Sequence, residues 1–587
     1  MKKFTADFET ATWLENETYV WAWAICEIGN TNNIFIDNSI ESFIKWCKKN
    51  YNCILYFHNL KFDGEFIISY LFNNGYEHIK NKKERREKTF TTLISDMGLF
   101  YSIEIYFEVN KKVKKITIID SLKIINRSVE EVPKMFGLNI EKLDLDYNTP
   151  REIGHILTEH EKEYIMNDVK IIALALEILF KQNLESMTAG SNALKNFKTT
   201  HSPQKLERMF PQINYNIDKD MRKAYKGGFT YLNPIYKERD VNFGVVLDVN
   251  SLYPSVMYEK PMPIGEPVYY VGKYKEDKIY PLYIQCISCV FKIKENKIPT
   301  IQIKGNSYFI ENEYLESSDG EIITLVLSSI DLKLFLEHYN VSELTYECGW
   351  KFKEMKGIFK DYIDKWIKIK IDATITENKG MRSLAKIMLN SLYGKFATGL
   401  DVQSKIPYLE NGIVKYYLSE KEERKGLYLP IGIFITSYAR DKTIRTSQAI
   451  KEYSINKYGK DLYIYSDTDS IHTLLPIEEL KQFCDIDDVK LGYWKHEASF
   501  TKARFVRQKC YLELIDNKIK ITCAGMPKEC YKYVEWEKFK EGFTCGGKLT
   551  FKHVIGGVKL VETDFTIKHD KILKKNIKNF KIYDIIK

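Results

Sequence analysis

The chain has 587 residues, too many for one ordinary core, so several domains are expected. Hydrophobic residues at 44% exclude global disorder, and 88 Lys and Arg against 79 Asp and Glu leave a net charge of +9, which suits a polyanionic partner without requiring one. No apolar run reaches the ~20 residues of a membrane span, and "MKKFTADFET" acquires acids where a signal peptide needs an apolar stretch. The 11 Cys, an odd number scattered along the chain, read as reduced thiols of a cytosol-like compartment. The single CxxC, Cys286–Cys289, sits in a strand-like alternation and reads as ordinary strand.

In chain order, the first ~190 residues alternate strand-like runs ("YVWAWAICEI", "CILYFH", "KKITIIDSL") with helical ones ("SIESFIKWCKKN", "EKEYIMNDVKIIALALEILFKQ"), the signature of an α/β or α+β domain. The charge run 81–90 reads as a solvated loop, and "MTAGSNALKNF" (187–197) as a first boundary. "GVVLDVNSLYPSVM" (244–257) reads as a buried strand entering a turn at Pro254, and the Pro- and Gly-rich 260–267 as a second boundary. A strand-rich module follows to about 356. Residues 358–397 read as a helical hairpin broken near "ENKG", and 398–430 as a short insert before the strands that carry "YSDTDSIH".

Asp467 and Asp469 lie one residue apart after an apolar run. On a strand or hairpin such a pair shares one face, where like charges favour a cation between them. Hard oxygen ligands without Cys or His suit Mg²⁺, and a two-metal site can activate an attacking 3′-oxygen and steady a leaving pyrophosphate. Asp248 ends another apolar strand, with Tyr253 in the turn beyond it. Arg382, Lys386, Asn390 and Tyr393 form one helical stripe of two cations, an amide and a phenol, a poor core face but a suitable cradle for a triphosphate and its base.

"DVNSLYPSVM", "KIMLNSLYGK" and "YSDTDSI", in that order, resemble motifs A, B and C of the family B DNA polymerases. The resemblance implies that Asp248, Val249 and Asp469 bind the catalytic metals, with Asp467 in support. It implies that Lys386, with Lys370 as a second, holds the incoming triphosphate beside Arg382. Tyr253 would pack under the sugar and exclude a ribose, while Asn390 and Tyr393 line the nascent base pair.

Nearer the N-terminus, Asp7 and Glu9 in "TADFET", Asp63 in "HNLKFDGEF", and Tyr164 and Asp168 in "YIMND" could hold a second pair of metals, with Tyr164 orienting a water for attack on a phosphodiester. The set resembles the three motifs of the DEDD 3′–5′ proofreading exonucleases. That resemblance implies Thr10, Asn59, Phe62, Ser121 and Leu122 as contacts to a single-stranded 3′ end and Lys142 as an electrostatic assistant.

"AYKGGFTYLN" (Tyr225, Gly227, Gly228), "TSYAR" (Thr436, Arg440) and "KCY" (Lys509, Tyr511) resemble contacts to template and primer. With the compact size and the inserts flanking the hairpin, they make the chain similar to the protein-primed family B polymerases of small phages with linear genomes. The implied architecture is multidomain α/β and α+β, an RNase H-like exonuclease domain plus a right-hand polymerase. Its segments are an exonuclease 1–188, palm 189–259 and 431–535, a terminal-protein-interacting insert 260–357, fingers 358–397, a strand-displacement insert 398–430, and a thumb with basic tail 536–587. The implied partners are a DNA primer–template, dNTPs and a terminal protein, with Mg²⁺ in both sites (Mn²⁺ as a substitute), no membrane, and a monomer in the cytoplasm of a bacterial host.

Two departures stand out. The hairpin before Lys386 runs about four residues longer than the family pattern, which unsettles Lys370. The Lys-rich end 569–587 extends past the pattern and is expected to add salt-dependent phosphate contacts. The competing readings are an oligonucleotide-primed family B polymerase, a non-catalytic scaffold whose carboxylates would have decayed, and a reverse transcriptase, which would carry adjacent aspartates.

Overall fold

The computed structural model describes residues 1–302 and 314–568, so the basic end 569–587 lies outside the described residues. An eight-stranded sheet occupies the N-terminal part. Its order, numbered along the chain, is third, second, first, fourth, eighth, seventh, sixth, fifth. The strand Lys3–Thr10 lies inside it, antiparallel to Val20–Glu27 and parallel to Ile54–Phe57. The strand divides its faces: Phe4, Ala6 and Phe8 enter one core cluster, while Thr5, Asp7 and Glu9 alternate with them on the other side. Helix Leu60–Asn73 packs on one side of the sheet and helix Glu159–Phe180 on the other. The second helix starts at a capping box, Thr158 with Glu161.

A seven-stranded antiparallel sheet forms the second body. Its middle strand, Asp240–Val249, is flanked by Ser470–Thr473 and by Trp494–Arg507. A four-stranded sheet (Met262–Val271, Leu282–Ile293, Ile323–Ser328, Tyr339–Met355) carries one helix, Ser329–His338. The expected helical hairpin is Lys360–Ile375 and Lys379–Ser391, broken at 376–378. Two β-hairpins project from the body: Lys405–Glu410 with Ile413–Leu418, and Thr544–Val554 with Gly557–Thr566. No described helix is long and apolar enough to cross a membrane.

The two segments read as boundaries carry regular structure: at 187–197, Thr188 caps a helix, Ala189–Lys198, which packs on Lys379–Ser391. Two other expectations are corrected. Pro254 does not end a turn. It sits in the first turn of helix Leu252–Glu259, where its missing N–H costs nothing. Pro263 and Pro267 lie in strand Met262–Val271, an edge strand, where a residue without a donor is tolerated. The other correction is a 30-residue helix, Leu429–Tyr458, where strands were expected. Its buried residues run around most of its circumference, so no amphipathic period marks it. It contacts each neighbouring module: Ser437 reaches Ser328, Gln448 the amide of Ile298, and Thr443 the carbonyl of Thr468.

Two candidate catalytic sites

The strand–turn–helix at 240–259 places Asp248 at a strand end, and the hairpin Tyr463–Asp467/Ser470–Thr473 brings Asp469 toward it. The amide of Val249 donates to the carbonyl of Asp469 at 2.8 Å, fixing strand to hairpin. Burial raises Asp248 to about 7, helped by the charges of Asp469 and Glu497 and opposed by Lys495 and Lys386. Asp469 is raised too, mainly by burial. Two carboxyls held above their ordinary range are a site that favours a cation.

Asp467 and Asp469 lie within reach of each other's charge, but not on one extended strand. Asp467 ends its strand and Asp469 is the second residue of a two-residue turn whose first, Thr468, takes φ 60°, a region normally left to Gly and costly for a β-branched residue. Three contacts hold it there: its amide donates to Phe229 at 2.6 Å, its carbonyl accepts from Thr443 at 2.7 Å, and its hydroxyl reaches Asp467. Asp467 accepts from Lys509 Nζ at 2.6 and 2.7 Å and from Thr230 at 3.1 Å. The positive partner of Asp467 is therefore a lysine 42 residues away in sequence.

Around this hairpin is a cleft of about 490 Å³ lined by Tyr225, Gly227, Gly228, Tyr253, Tyr393, Thr436 and Lys509. The rings of Tyr253 and Tyr393 stack with centroids 3.9 Å apart. Arg382, Lys386 and Asn390 lie exposed along helix Lys379–Ser391, while Leu384, Ala385, Met388 and Leu389 bury its other side. Lys370 is close enough to Arg382, Lys386 and Lys495 that their charges, after burial itself, lower its pKa. Together these residues make a basic stripe ending in an aromatic pair.

Several residues read as DNA contacts also have partners within the protein. A Cβ on Gly228 would lie 2.4 Å from the Thr468 hydroxyl, so this glycine answers to the strained turn. Arg440 is 2% exposed, and its guanidinium grips Asp331 and donates to the carbonyls of Lys226 and Gly227 at 2.8 and 2.7 Å. Thr436 is buried and bonds back to its own helix. Lys509 is not on the strand with Tyr511: it lies in the preceding turn at φ 55°, and Tyr511 is buried against Phe505. Lys495 and Glu497, on strand Trp494–Arg507, went unselected although Lys495 pairs with Asp248 across the ladder.

In the N-terminal site the carboxylate oxygens of Asp7, Glu9 and Asp168 lie within 4.8 Å of one another. Asp63 stands beside them on helix Leu60–Asn73. Burial and then the charge of Asp168 raise Asp7 to about 7, and burial and then the charge of Asp7 hold Glu9 and Asp63 well above the usual carboxylate range. Lys142 pairs with Asp168 and lies over the Tyr164 ring. Tyr164 is 1% exposed and its hydroxyl meets that of Tyr147, a residue that sits in a loop with no periodicity to single it out.

A neighbouring cleft of about 640 Å³ is lined by His58, Asn59, Leu122, Arg127 and Lys142. Asn59 takes a left-handed backbone and its amide donates to Asp120 at 3.1 Å. Thr10 is buried, Phe62 packs on Phe66 and Phe551, and Ser121 turns inward to the carbonyl of Phe57. The Ser121 hydroxyl therefore does not face the cleft. Buried oxygens of Asp63 and Asp168 have no hydrogen-bond partner, so the acids are incomplete without a cation, and their all-oxygen donor set fits a hard divalent ion.

The sequence matches the family described as DNA polymerase type B, organellar and viral, over residues 44–158 and 145–478. It is 45% identical to the DNA polymerase of Bacillus phage Nf (97% of this chain, 100% of the relative) and 44% identical to that of Bacillus phage phi29 (97% and 99%). It is 32% identical to the DNA polymerase of Streptococcus phage Cp-1 (97% and 99%). Among solved structures, phi29 DNA polymerase in an orthorhombic crystal form superposes with a TM-score of 0.90 at 42% identity, covering 97% of this chain and 100% of that one. The complex of phi29 DNA polymerase with primer–template DNA and incoming nucleotides gives 0.88 at 43% identity over the same shares. With its buried acids, its aromatic–basic cleft and these likenesses over nearly its whole length, the chain belongs to the viral family B DNA polymerases, with the multidomain exonuclease-plus-polymerase fold of the phi29 enzyme.

Proposed function

We propose that the protein is a DNA-directed DNA polymerase that starts on a protein hydroxyl, displaces the strand ahead of it, and proofreads with its own 3′–5′ exonuclease. The observation that carries this reading is the pair of separate carboxylate clusters, Asp248 with Asp469 beside a cleft lined by Tyr253, Tyr393 and Lys509, and Asp7, Glu9 and Asp168 beside a cleft of their own. Asp248, Val249 and Asp469 would hold divalent ions in the first, and Asp7, Glu9, Asp63 and Asp168 in the second. Magnesium at these positions supplies Lewis acidity for phosphoryl transfer.

The chain's own residues do the rest. Arg382, Lys386 and Lys370 offset the triphosphate charge. Tyr253, braced by Tyr393, sets the floor for the sugar, and Asn390 lines the base pair. Lys509 holds Asp467 in place at the primer end, and Arg440 holds the Lys226–Gly227 main chain. Tyr164, joined to Tyr147, orients a water over the 3′ phosphodiester, and Lys142 draws off charge at Asp168.

The segment roles are assigned on the same footing: exonuclease 1–188, palm 189–259 and 431–535, fingers 358–397, inserts 260–357 and 398–430, and thumb 536–568 with the tail beyond. Primer–template DNA and nucleotides, the partners in the phi29 complex, are proposed here too, with a terminal protein as primer and a host cytoplasm as setting. The test is primer extension with end-labelled primer, a downstream annealed strand and Mg²⁺, run with and without dNTPs, beside a reaction holding terminal protein and no oligonucleotide. Extension with displacement, 3′ shortening without dNTPs, and labelled terminal protein are expected. Absence of the last leaves an oligonucleotide-primed enzyme, and absence of extension removes the reading.

A further inference from the structure

Helix Leu60–Asn73 carries a second buried acid that the nuclease does not use. Glu65 is 3% exposed in an otherwise apolar run, "GEFIISYLF", where an acid is rarely found without partners. It lies two residues after Asp63, about 200° around the helix and so on the opposite side from the acidic cluster. Its partners come from two distant segments. The Tyr416 hydroxyl, on the hairpin 405–418, donates to Oε2 at 2.7 Å, and His553 Nε2, on the hairpin 544–566, lies 3.2 Å from Oε1.

Apolar contacts join at the same point. Val414 of one hairpin and Val558 of the other are buried in one cluster with Phe66. The Phe551 ring meets Phe62, with Lys61 Nζ 4.8 Å from its centre. A Cβ on Gly557 would come 2.7 Å from the Phe66 ring. Beyond the junction, the tip of the second hairpin adds itself to the N-terminal body, where the Thr18 amide donates to Ile555 at 2.9 Å.

The opposite ends of the two hairpins are rooted in the polymerase body. Cys545 and Phe565 share a core with Leu512 and Cys523 of the seven-stranded sheet. The other hairpin follows a segment whose carbonyls at Ala397 and Thr398 accept from Arg222. Polymerase body, one hairpin, exonuclease helix, other hairpin and body again therefore form a closed circuit of protein, and Glu65 is the polar point where its two free arms meet.

We propose that Glu65 is a clasp: a positioning residue that keeps the two hairpins joined so that DNA cannot leave sideways during synthesis. The inference deepens the reading of a processive, strand-displacing polymerase and rests on it. Without its carboxylate, Tyr416 and His553 lose their shared partner, and the circuit opens about tenfold more often, the ratio that losing a buried hydrogen-bond acceptor carries.

The experiment compares the full-length protein with Glu65→Ala, Glu65→Gln and Tyr416→Phe. Each is loaded on primed single-stranded circular DNA and started with Mg²⁺, dNTPs and an excess of heparin as trap, and first-nucleotide insertion and 3′ shortening are measured alongside. Glu65→Ala and Tyr416→Phe are expected to insert the first nucleotide and shorten primers within about twofold of wild type, while their trapped product lengths fall about tenfold. Glu65→Gln, which keeps an acceptor oxygen, recovers most of the length. Should Glu65→Ala not fold, Tyr416→Phe carries the test, because it lies off the nuclease helix. Products of wild-type length from Tyr416→Phe and any folded Glu65→Ala overturn the clasp. A wild-type enzyme that itself stops after a few nucleotides overturns processivity and the clasp with it.

Discussion

Replacing Arg440 with Ala separates two roles that its sequence context leaves confounded. As a DNA contact its loss would weaken binding and spare the fold; as the buried keystone seen here its loss strikes the fold first. The guanidinium pairs with both oxygens of Asp331 (3.1 and 2.7 Å) and caps two carbonyls. Burial pushes Asp331 up, yet Arg440 holds it below the ordinary carboxylate range. Breaking a buried pair by removing one partner costs about 3–5 kcal/mol. Ser328 and Ser437 still serve Asp331, which favours the low end, while the stranded carbonyls of Lys226 and Gly227 add about 1 kcal/mol. The expected destabilisation is about 4 kcal/mol, read as a lower urea midpoint, with Asp331→Asn in the same background adding little because the two belong to one network. A variant with an unchanged midpoint and reduced DNA affinity would refute the buried role and restore the surface one.

Three further outcomes are expected. Asp63→Asn lowers 3′ shortening by at least about 10²-fold and spares extension; it also raises the melting temperature in metal-free buffer above neutral pH, because it removes an acid whose ionised form is penalised first by burial and then by the charge of Asp7, and unchanged shortening would remove Asp63 from the site. Glu161, pushed up by burial but held down to about 2 by Arg151, the Thr158 amide and His155, contributes stability that is complete above its ordinary 4.5 and lost as the pH falls toward 2. Acid denaturation of Glu161→Gln should therefore be flatter over that window by about 2 kcal/mol, and parallel curves would contradict the assignment. Tyr253→Val should raise ribonucleotide insertion at least about tenfold over deoxyribonucleotide insertion, measured by competition, and an unchanged ratio would show that Tyr253 does not sense the 2′ position.

Local chemistry made part of this legible. Asp7 and Glu9, or Arg382 and Lys386, declare themselves because strand and helix periods put them on one face. The helix Leu429–Tyr458 hides because burial nearly all round erases the period. Asp467 and Asp469 come together by a hairpin turn and not by the period of a strand, because Thr468 between them takes a positive φ held by Phe229 and Thr443. Glu497 and Tyr147 reach their sites only through tertiary approach, which no spacing encodes. Gly228 shows the converse: the need for a glycine was visible, but its cause was a threonine of the protein itself.

The helix Leu429–Tyr458 also bears on how such a chain can change over generations. At 1.5 Å per residue it is about 45 Å long, and it meets the first insert near Ser437 and Gln448 and the acidic turn at Thr443. A single residue gained or lost within it would rotate every later contact by about 100° and shift it along the axis. Length is thus frozen along the rod and free at its ends, where the 398–427 segment hangs before Tyr428 and Gly459 closes the last turn. Relatives that differ in size should carry their insertions and deletions outside this span, and the hairpin that meets Glu65 can lengthen or shorten while the spacing of the polymerase site stays untouched.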